Sequence, residues 1–408
     1  MTQWNWAHNH AYAHERWAEP ADVDELAGLV TSATRVRAVG SRHSFNELCD
    51  SDDLVVDLAR LRQPPAVDPE RRVVTVSPGV RFGDVARAVA EHGLALRNLG
   101  SLPHISVVGA TATGTHGSGI ANPVLATAVS RVRLVRADGS TSEHRRGDAG
   151  FPATVLSLGA AGIAVDMDLD LVPEFWIRQT REPVSLPDLL DDAEHILSEG
   201  YSVSIFTRWA ATEQSEVLRK TAVDPGSPGP LPAASVPSLL LGDGDNLTPT
   251  DEPLLWHDGL PHFRLDHQPS FGAEIQSEWF VPRERTAASL HAVAQLAPEL
   301  APHLLVSEIR SIAADELWLS PAQGRDSTCL HFTWKQHPEA VARLVRQVGT
   351  LLEPHSARPH WGKVFTADQP DWASLYPHLP DFVHVVEELD PAGTFRNRFL
   401  NQVLGTEA

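Results

Sequence analysis

The sequence predicts an α+β protein of two domains. Helical and strand periodicities alternate along the chain, a strand running into Pro173 closes one such series, and a second series follows it. At roughly 100–200 residues per domain, 408 residues leave room for two or three cores, and 42% hydrophobic with 21% charged residues is a globular composition.

The first series opens with "ADVDELAGLV" (residues 21–30), which sets Val23, Leu26, Ala27 and Val30 on one helical face behind an acidic first turn. Short strands follow in "RVRAV", "DLVVDL" and "RRVVTV". "FGDVARAVAEHG" is a second helix stopped by Gly93. "SRVRLVRADGSTSE" is a hairpin around an Asp-Gly turn. In "GIAVDMDLDLVP" Ile163, Val165, Met167, Leu169 and Leu171 point inward, and Asp166, Asp168 and Asp170 are expected to face water.

The second series starts with the helix "SLPDLLDDAEHILSEG", capped by Ser185, and the strand "YSVSIFTRW". Residues 224–252 are rich in Pro and Gly without a period, a long loop that is either disordered or a lid near a site. Strand patterns return in "AEIQSEWFV", "LLVSEIRSI" and "CLHFTW". Between them lie the helices "RTAASLHAVAQL" and "PEAVARLVRQVGTLL", the latter with Val341, Leu344, Val345, Val348 and Leu352 on one face. Two helices on one side of an antiparallel sheet is the expected architecture.

Charge and composition exclude several classes. Lys+Arg of 33 against Asp+Glu of 53 gives a net charge of −20, which repels nucleic acid and anionic membranes. Two distant cysteines, Cys49 and Cys329, make neither a disulfide scaffold nor a cysteine zinc site. The first residues lack a basic start and an apolar core, and no apolar run approaches the ~20 residues of a membrane span, so a cytoplasmic protein is expected. Twenty histidines and "HNHAYAH" raise the question of a metal, but there is no H-E-x-x-H, and none is expected.

Three groups of residues carry chemistry. "VGSRHSFNEL" (residues 39–48) sets His43 in a Gly-Ser-Arg turn, where an imidazole is either an ordinary loop side chain or a functional one. "NLGSLPHISVVGATATGTHGSG" (residues 98–119) has five glycines among small residues, a loop able to aim backbone N–H groups at a pyrophosphate, or simply a loop. It matches neither the P-loop nor the Rossmann pattern. Finally, "SEIRS" places Glu308 and Arg310 on one face of a strand, "HFTW" does so for His331 and Thr333, and "PHWGK" places His360 and Lys363 around a Gly turn. Singly these pairs fit a solvated face; together they make a surface that grips several hydroxyl groups.

These stretches, with "SLGAAGIAVDMDLDL", "SEIRSIAAD", "RPHWGKVF" and "LDPAGTFRNRFL", resemble the alditol oxidases (xylitol or sorbitol oxidases) among the vanillyl-alcohol-oxidase-type FAD enzymes. The likeness runs in order from "NWAHNHAY" to the C-terminus, with 224–252 least similar. The GSxHS motif recurs widely among these flavoproteins; "PHWGK", and "EIR" with "HFTW", are more specific to the polyol branch. The resemblance implies an FAD-binding domain at 1–172, a substrate domain at 173–364 and a segment at 365–408 that returns to the first.

It also implies site residues. His43 bonds covalently to the 8α carbon of FAD, a step open to a neutral imidazole. Val39, Gly40, Ser41, Arg42 and Ser44 line the cofactor on one side. Gly109, Ala110, Thr111, Ala112, Thr113 and Gly114, with His116 and Gly117, line it on the other. Ser106 touches the pyrophosphate, Ala164 the adenine end, and Ser101 and His360 also border the cofactor. Arg42 stands where many relatives carry glycine and has a phosphate or a carboxylate as its natural partner.

Ser101, Gln276, Glu308, Arg310, His331, Thr333 and Lys363 form the polyol pocket by the same resemblance. The implied reaction takes the terminal primary hydroxyl of an alditol to the aldose, with hydride passing from C1 to flavin N5 and O2 reduced to H2O2. Arg310 and Lys363 offset the developing negative charge. Glu308 and His331 orient the second hydroxyl, with His331 a candidate proton acceptor. Gly100 either admits oxygen to the flavin or serves its own backbone angles. Two alternatives stand: an aldonolactone oxidase or dehydrogenase, and a carbohydrate-binding protein on a degenerate flavin fold. The partners expected are a polyol and O2, on a monomer.

Overall fold

The computed structural model describes residues 2–226, 238–239, 246–266, 274–366 and 370–405. Strands Arg16–Ala18, Leu54–Asp57 and Val36–Val39 form a small sheet with parallel pairings, and helix Val23–Thr31 is capped by Asp22, whose side chain accepts from the Glu25 N–H. A five-stranded antiparallel sheet follows in the order Ala66–Asp68, Val73–Val76, Ile163–Asp170, Val129–Val135, Thr141–Arg145. The alternation of Ile163–Asp170 buries Val165, Met167 and Leu169 as expected, but the aspartates do not simply face water. Asp168 is buried, held by Arg131 Nη2 at 2.7 Å and by the Thr75 hydroxyl at 2.7 Å, and Asp166 takes Arg131 Nη1 at 2.6 Å. Arginines of the neighbouring strand have claimed that face.

The second unit is an eight-stranded antiparallel sheet. Its order is Pro253–Leu255, Trp176–Val184, Ser215–Val223, Ser202–Thr207, Leu304–Ile312, Ser327–Lys335, Glu274–Pro282, Arg358–Pro359. Three helices rather than two cover one face: Leu186–Ser198 joins Thr286–Ala294 and Pro338–Leu352, because its apolar stripe of Leu189, Ala193 and Ile196 enters the same core. Two of the longest strands, Trp176–Val184 and Ser215–Val223, escape a search for apolar alternation. Their pattern is interrupted by charges that pair across the ladder, Arg181 to Glu216 at 2.7 Å and Arg219 to Glu182 at 2.6 Å.

Period two in the central strands makes the sheet two-faced. Ile275, Trp279, Val281, Ile309, Leu330, Phe332 and Trp334 pack under the helices. Gln276, Glu278, Glu308, Arg310, His331 and Thr333 therefore share the opposite face, all buried, and look toward the first unit. The C-terminal residues pack back on that unit: the Val36 N–H donates to the Thr394 carbonyl at 2.8 Å, and Phe395 joins the cluster of Leu26, Val30 and Val36. Much of the loop expected at 224–252 lies outside the described residues, and the expected lid with it; residues 246–252 run into the segment that carries His262 and Phe263 to the site below.

Candidate active site

A single continuous cavity runs from the strand Ile163–Asp170, past the turn after Val36–Val39, to the polar face of the large sheet. Its lower wall is made by the two loops singled out in sequence. They are tied reciprocally: the Ser106 N–H donates to Ser41 Oγ at 3.0 Å and the Ser41 N–H to Ser106 Oγ at 3.4 Å. Gly40 and Gly109 both press on this junction, and a Cβ there would lie 2.3 Å and 2.8 Å from Ser106 Oγ. Only glycine lets the loops approach so closely.

His43 sits on the cavity wall with Nδ1 2.8 Å from the Ser41 carbonyl and its ring stacked on Trp6 at 4.7 Å. Burial pushes its pKa down to about 3, so the ring is the neutral imidazole that nucleophilic chemistry requires. The next residues anchor the loop to the second unit. The Phe45 N–H donates to the Gly362 carbonyl at 2.9 Å, and Asn46 Nδ2 donates to the carbonyls of Trp361 and Lys363, each at 2.8 Å. Arg42 has φ of 60°, the left-handed backbone that explains why glycine suits the position; its guanidinium binds Asp57, the carboxylate rather than the phosphate of the two partners expected.

Opposite lies a dense polar wall. Glu278 stands at its centre: Arg310 Nη2 is 2.7 Å from Oε1, His116 Nε2 is 3.1 Å from the same oxygen, and His331 Nδ1 is 3.4 Å from Oε2. Register explains the convergence, since His331 lies directly across from Glu278 on one side and Glu308 on the other. Burial works against both carboxylates, but Arg310 between them, with the surrounding imidazoles, holds Glu278 and Glu308 well below the usual range. They are ionised, and Arg310 is their shared counter-charge. Lys363 Nζ contacts Gln276 Oε1 and lies 5.0 Å from the centre of the Phe45 ring. Burial lowers its ammonium to about 8, with Glu278 opposing and Arg310 assisting.

This geometry has counterparts among known proteins. A family model described as "FAD binding domain" matches residues 15–144, and one described as "D-arabinono-1,4-lactone oxidase" matches residues 266–403. An alditol oxidase from Streptomyces sp. is 42% identical over 411 residues, covering 98% of each chain. The chain belongs to the alditol oxidase family of vanillyl-alcohol-oxidase-type flavoproteins. An L-gulonolactone oxidase from Mus musculus is more distant, 28% identical over 98% of this chain and 97% of its own. The fold also matches cholesterol oxidase from B. sterolicum (TM-score 0.78, 14% identity, 99% and 96% coverage). A xylooligosaccharide oxidase from Myceliophthora thermophila C1 gives a TM-score of 0.75 at 14% identity, with 99% and 94% coverage.

As an alditol oxidase family member the protein is an FAD-dependent oxidoreductase acting on CH–OH groups with oxygen as acceptor. Its residues fit that cofactor: a long cavity walled by two loops that glycines bring close together, and a neutral histidine on that wall. Val39, Gly40, Ser41, Arg42, His43 and Ser44 line the cavity, as do Gly100, Ser101, Ser106 and Ala164. So do Gly109, Ala110, Ala112, Thr113, His116 and His360, and all the proposed polyol contacts.

Three expected cofactor residues do not. Thr111 is fully buried in the short helix Val107–Ala112, where its hydroxyl bonds the carbonyls of Val107 and Val108, each at 3.1 Å. Gly114 turns the chain after that helix with φ of 74°. Gly117 is needed against neighbouring chain, since a Cβ there would lie 2.4 Å from the Leu99 carbonyl oxygen. Small residues look alike in sequence whether they face a ligand or another loop.

Further residues of the site carry little or no local signal in the sequence. Glu278 and Glu274 alternate with Gln276 on one strand face, so the period that marks one marks all three. His262, which meets Glu308 at 2.8 Å, had no periodic signal; it enters from the segment at 246–266, whose amides at His262 and Phe263 bond the Ser101 carbonyl at 3.2 and 3.4 Å.

Proposed function

We propose that the protein oxidises the terminal primary hydroxyl of an alditol such as xylitol or D-sorbitol to the aldose, reducing O2 to H2O2, on FAD bonded to His43. One observation carries this reading: Gln276, Glu308, Arg310, His331 and Thr333, all buried, converge with the half-buried Lys363 on one cavity wall. So many donors and acceptors inside a closed site are unsatisfied by an apolar ligand and matched by a chain of hydroxyls. The 42% identity to an alditol oxidase supports the same substrate class. FAD, when bound, would supply the hydride acceptor and the electron path to oxygen. Arg310 and Lys363 stabilise the alkoxide that forms as the hydroxyl proton leaves. His331, neutral through burial and hydrogen-bonded to Thr333 at 3.2 Å, is placed to orient a hydroxyl or take its proton.

A lactone substrate is the second reading, favoured by the match of residues 266–403 to an arabinonolactone oxidase model and by the 28% identity to L-gulonolactone oxidase. Steady-state turnover separates the two. Xylitol or sorbitol is expected to be oxidised with a higher kcat/KM than gulonolactone, and the reverse order overturns the alditol reading.

The linkage has its own test. Acid-precipitated protein is expected to stay yellow and to carry flavin fluorescence on a denaturing gel. His43→Ala should release all of its flavin on denaturation; flavin retained by that variant places the bond elsewhere.

Lys363 gives a pH prediction. Its ammonium, lowered to about 8, is charged below that pH and neutral above it. The rate of anaerobic flavin reduction by polyol should therefore fall as the pH rises through about 8. Lys363→Met should be slow throughout and lose that limb; a variant that keeps it assigns the titration to another group.

A further inference from the structure

Glu308 has a buried partner that the reaction scheme above leaves unused. His262 Nε2 lies 2.8 Å from Glu308 Oε1, and His262 Nδ1 lies 3.3 Å from Nζ of Lys220. Lys220 is 1% exposed, and its Nζ also meets the carbonyl oxygens of Leu260 and of Pro261, the latter at 3.1 Å. An ammonium has three protons and no lone pair. Here it faces three groups that can each accept, two carbonyls and an imidazole nitrogen.

That arrangement selects the tautomer. With Nδ1 accepting from Lys220, the ring proton resides on Nε2 and is donated to Glu308. His262 bonds Oε1 of the carboxylate, and Arg310 Nε approaches the same oxygen at 3.6 Å. Oε2 accepts no hydrogen bond among the described residues, and Glu308 lines the cavity.

We propose that His262, oriented by Lys220, is a positioning residue for alditol binding: it occupies Oε1 of Glu308 and so presents Oε2 as the acceptor for a substrate hydroxyl. The inference rests on the alditol reading of the pocket. Two further observations agree with it. Burial keeps the His262 ring neutral, pushed down to about 4 with Lys220 assisting, so it has a single ring proton to place. Lys220 fixes that proton while it is charged, and burial lowers its ammonium to about 7, with Glu308 resisting that shift and Arg310 adding to it. Phe206, opposite Glu308 in the sheet, meets the His262 ring edge-on at 5.5 Å, and the His262 amide bonds the Ser101 carbonyl at 3.2 Å. The imidazole is fixed from three sides, so the direction of its N–H is part of the fold.

The test uses the flavin-loaded enzyme, with variants compared at equal flavin content and with melting temperature as the control for folding. His262→Leu removes the donor and should raise KM for xylitol about tenfold, as loss of one hydrogen bond to a charged group implies, with a smaller fall in kcat. His262→Gln can accept from Lys220 through its oxygen and donate to Glu308 through its nitrogen; it should restore KM to within about threefold of the parent. In a Glu308→Gln background, His262→Leu should add little further. A glutamine no better than leucine, or a full leucine penalty without the Glu308 carboxylate, overturns the inference. A normal KM in His262→Leu beside a raised one in Glu308→Gln overturns the inference alone. A normal KM in Glu308→Gln itself overturns the pocket reading and the inference with it.

Discussion

Replacing Arg310 by methionine is expected to cost more than any other single change, in rate and in stability together. The guanidinium is buried between two carboxylates, 2.7 Å from Glu278 and 3.6 Å from Glu308. Methionine keeps much of the volume but leaves two buried negative charges facing each other, a loss of about 3–5 kcal/mol for a broken buried pair. The anaerobic rate of flavin reduction should fall about a hundredfold to a thousandfold, the usual penalty for deleting one preorganised group from developing negative charge.

The pH dependence supplies a sign that simple misfolding does not. In the parent Glu308 is held below its ordinary value of 4.5, so the stability it contributes is present above 4.5 and lost as the pH falls. Without Arg310, burial dominates and both carboxylates move upward, so the variant should gain stability relative to the parent on mild acidification. Stopped-flow reduction and melting curves on either side of neutrality decide it. A rate within a few-fold of the parent removes Arg310 from the chemistry, and a parent-like slope of stability with pH removes the charge argument.

How much of this was legible in sequence follows from what each feature depends on. Strands such as Leu304–Ile312 and Ser327–Lys335 read correctly because one face packs under helices and the other is polar, so the period survives. Trp176–Val184 and Ser215–Val223 did not, because cross-strand ion pairs place charges where alternation expects apolar residues. Within the site, His43, Glu308, Arg310, His331 and Lys363 stand in short local motifs. Glu278 shares its strand face with Gln276, but its importance comes from three partners distant in sequence, His116, Arg310 and His331. His262 is the extreme case: an aperiodic segment carries it, and only tertiary contact with Lys220 and Glu308 marks it.

Enlarging Gly100 is expected to turn an oxidase into an enzyme that works well only with an artificial acceptor. A glycine can be required by its backbone or by the space it leaves, and here the geometry separates the two. Gly100 is not among the glycines with positive φ. A Cβ built on it would lie 3.6 Å from the His116 carbonyl oxygen and from Thr115 Cγ2, and 3.9 Å from Ile105 Cδ1, all ordinary contacts. The fold therefore tolerates alanine, and a stability change within about 0.5 kcal/mol is expected. What the absent side chain leaves open is cavity wall, next to Ser101 and on the same lining as His116. If oxygen reaches the flavin along that wall, Gly100→Ala should slow reoxidation by O2. Gly100→Val, whose methyl groups project further, should slow it about a hundredfold, or ~2.7 kcal/mol on the barrier. Anaerobic reduction by xylitol and turnover with a dye acceptor should stay close to the parent. Should both half-reactions fall together, the added group has displaced Ser101 or the polyol; should neither change, oxygen enters by another route.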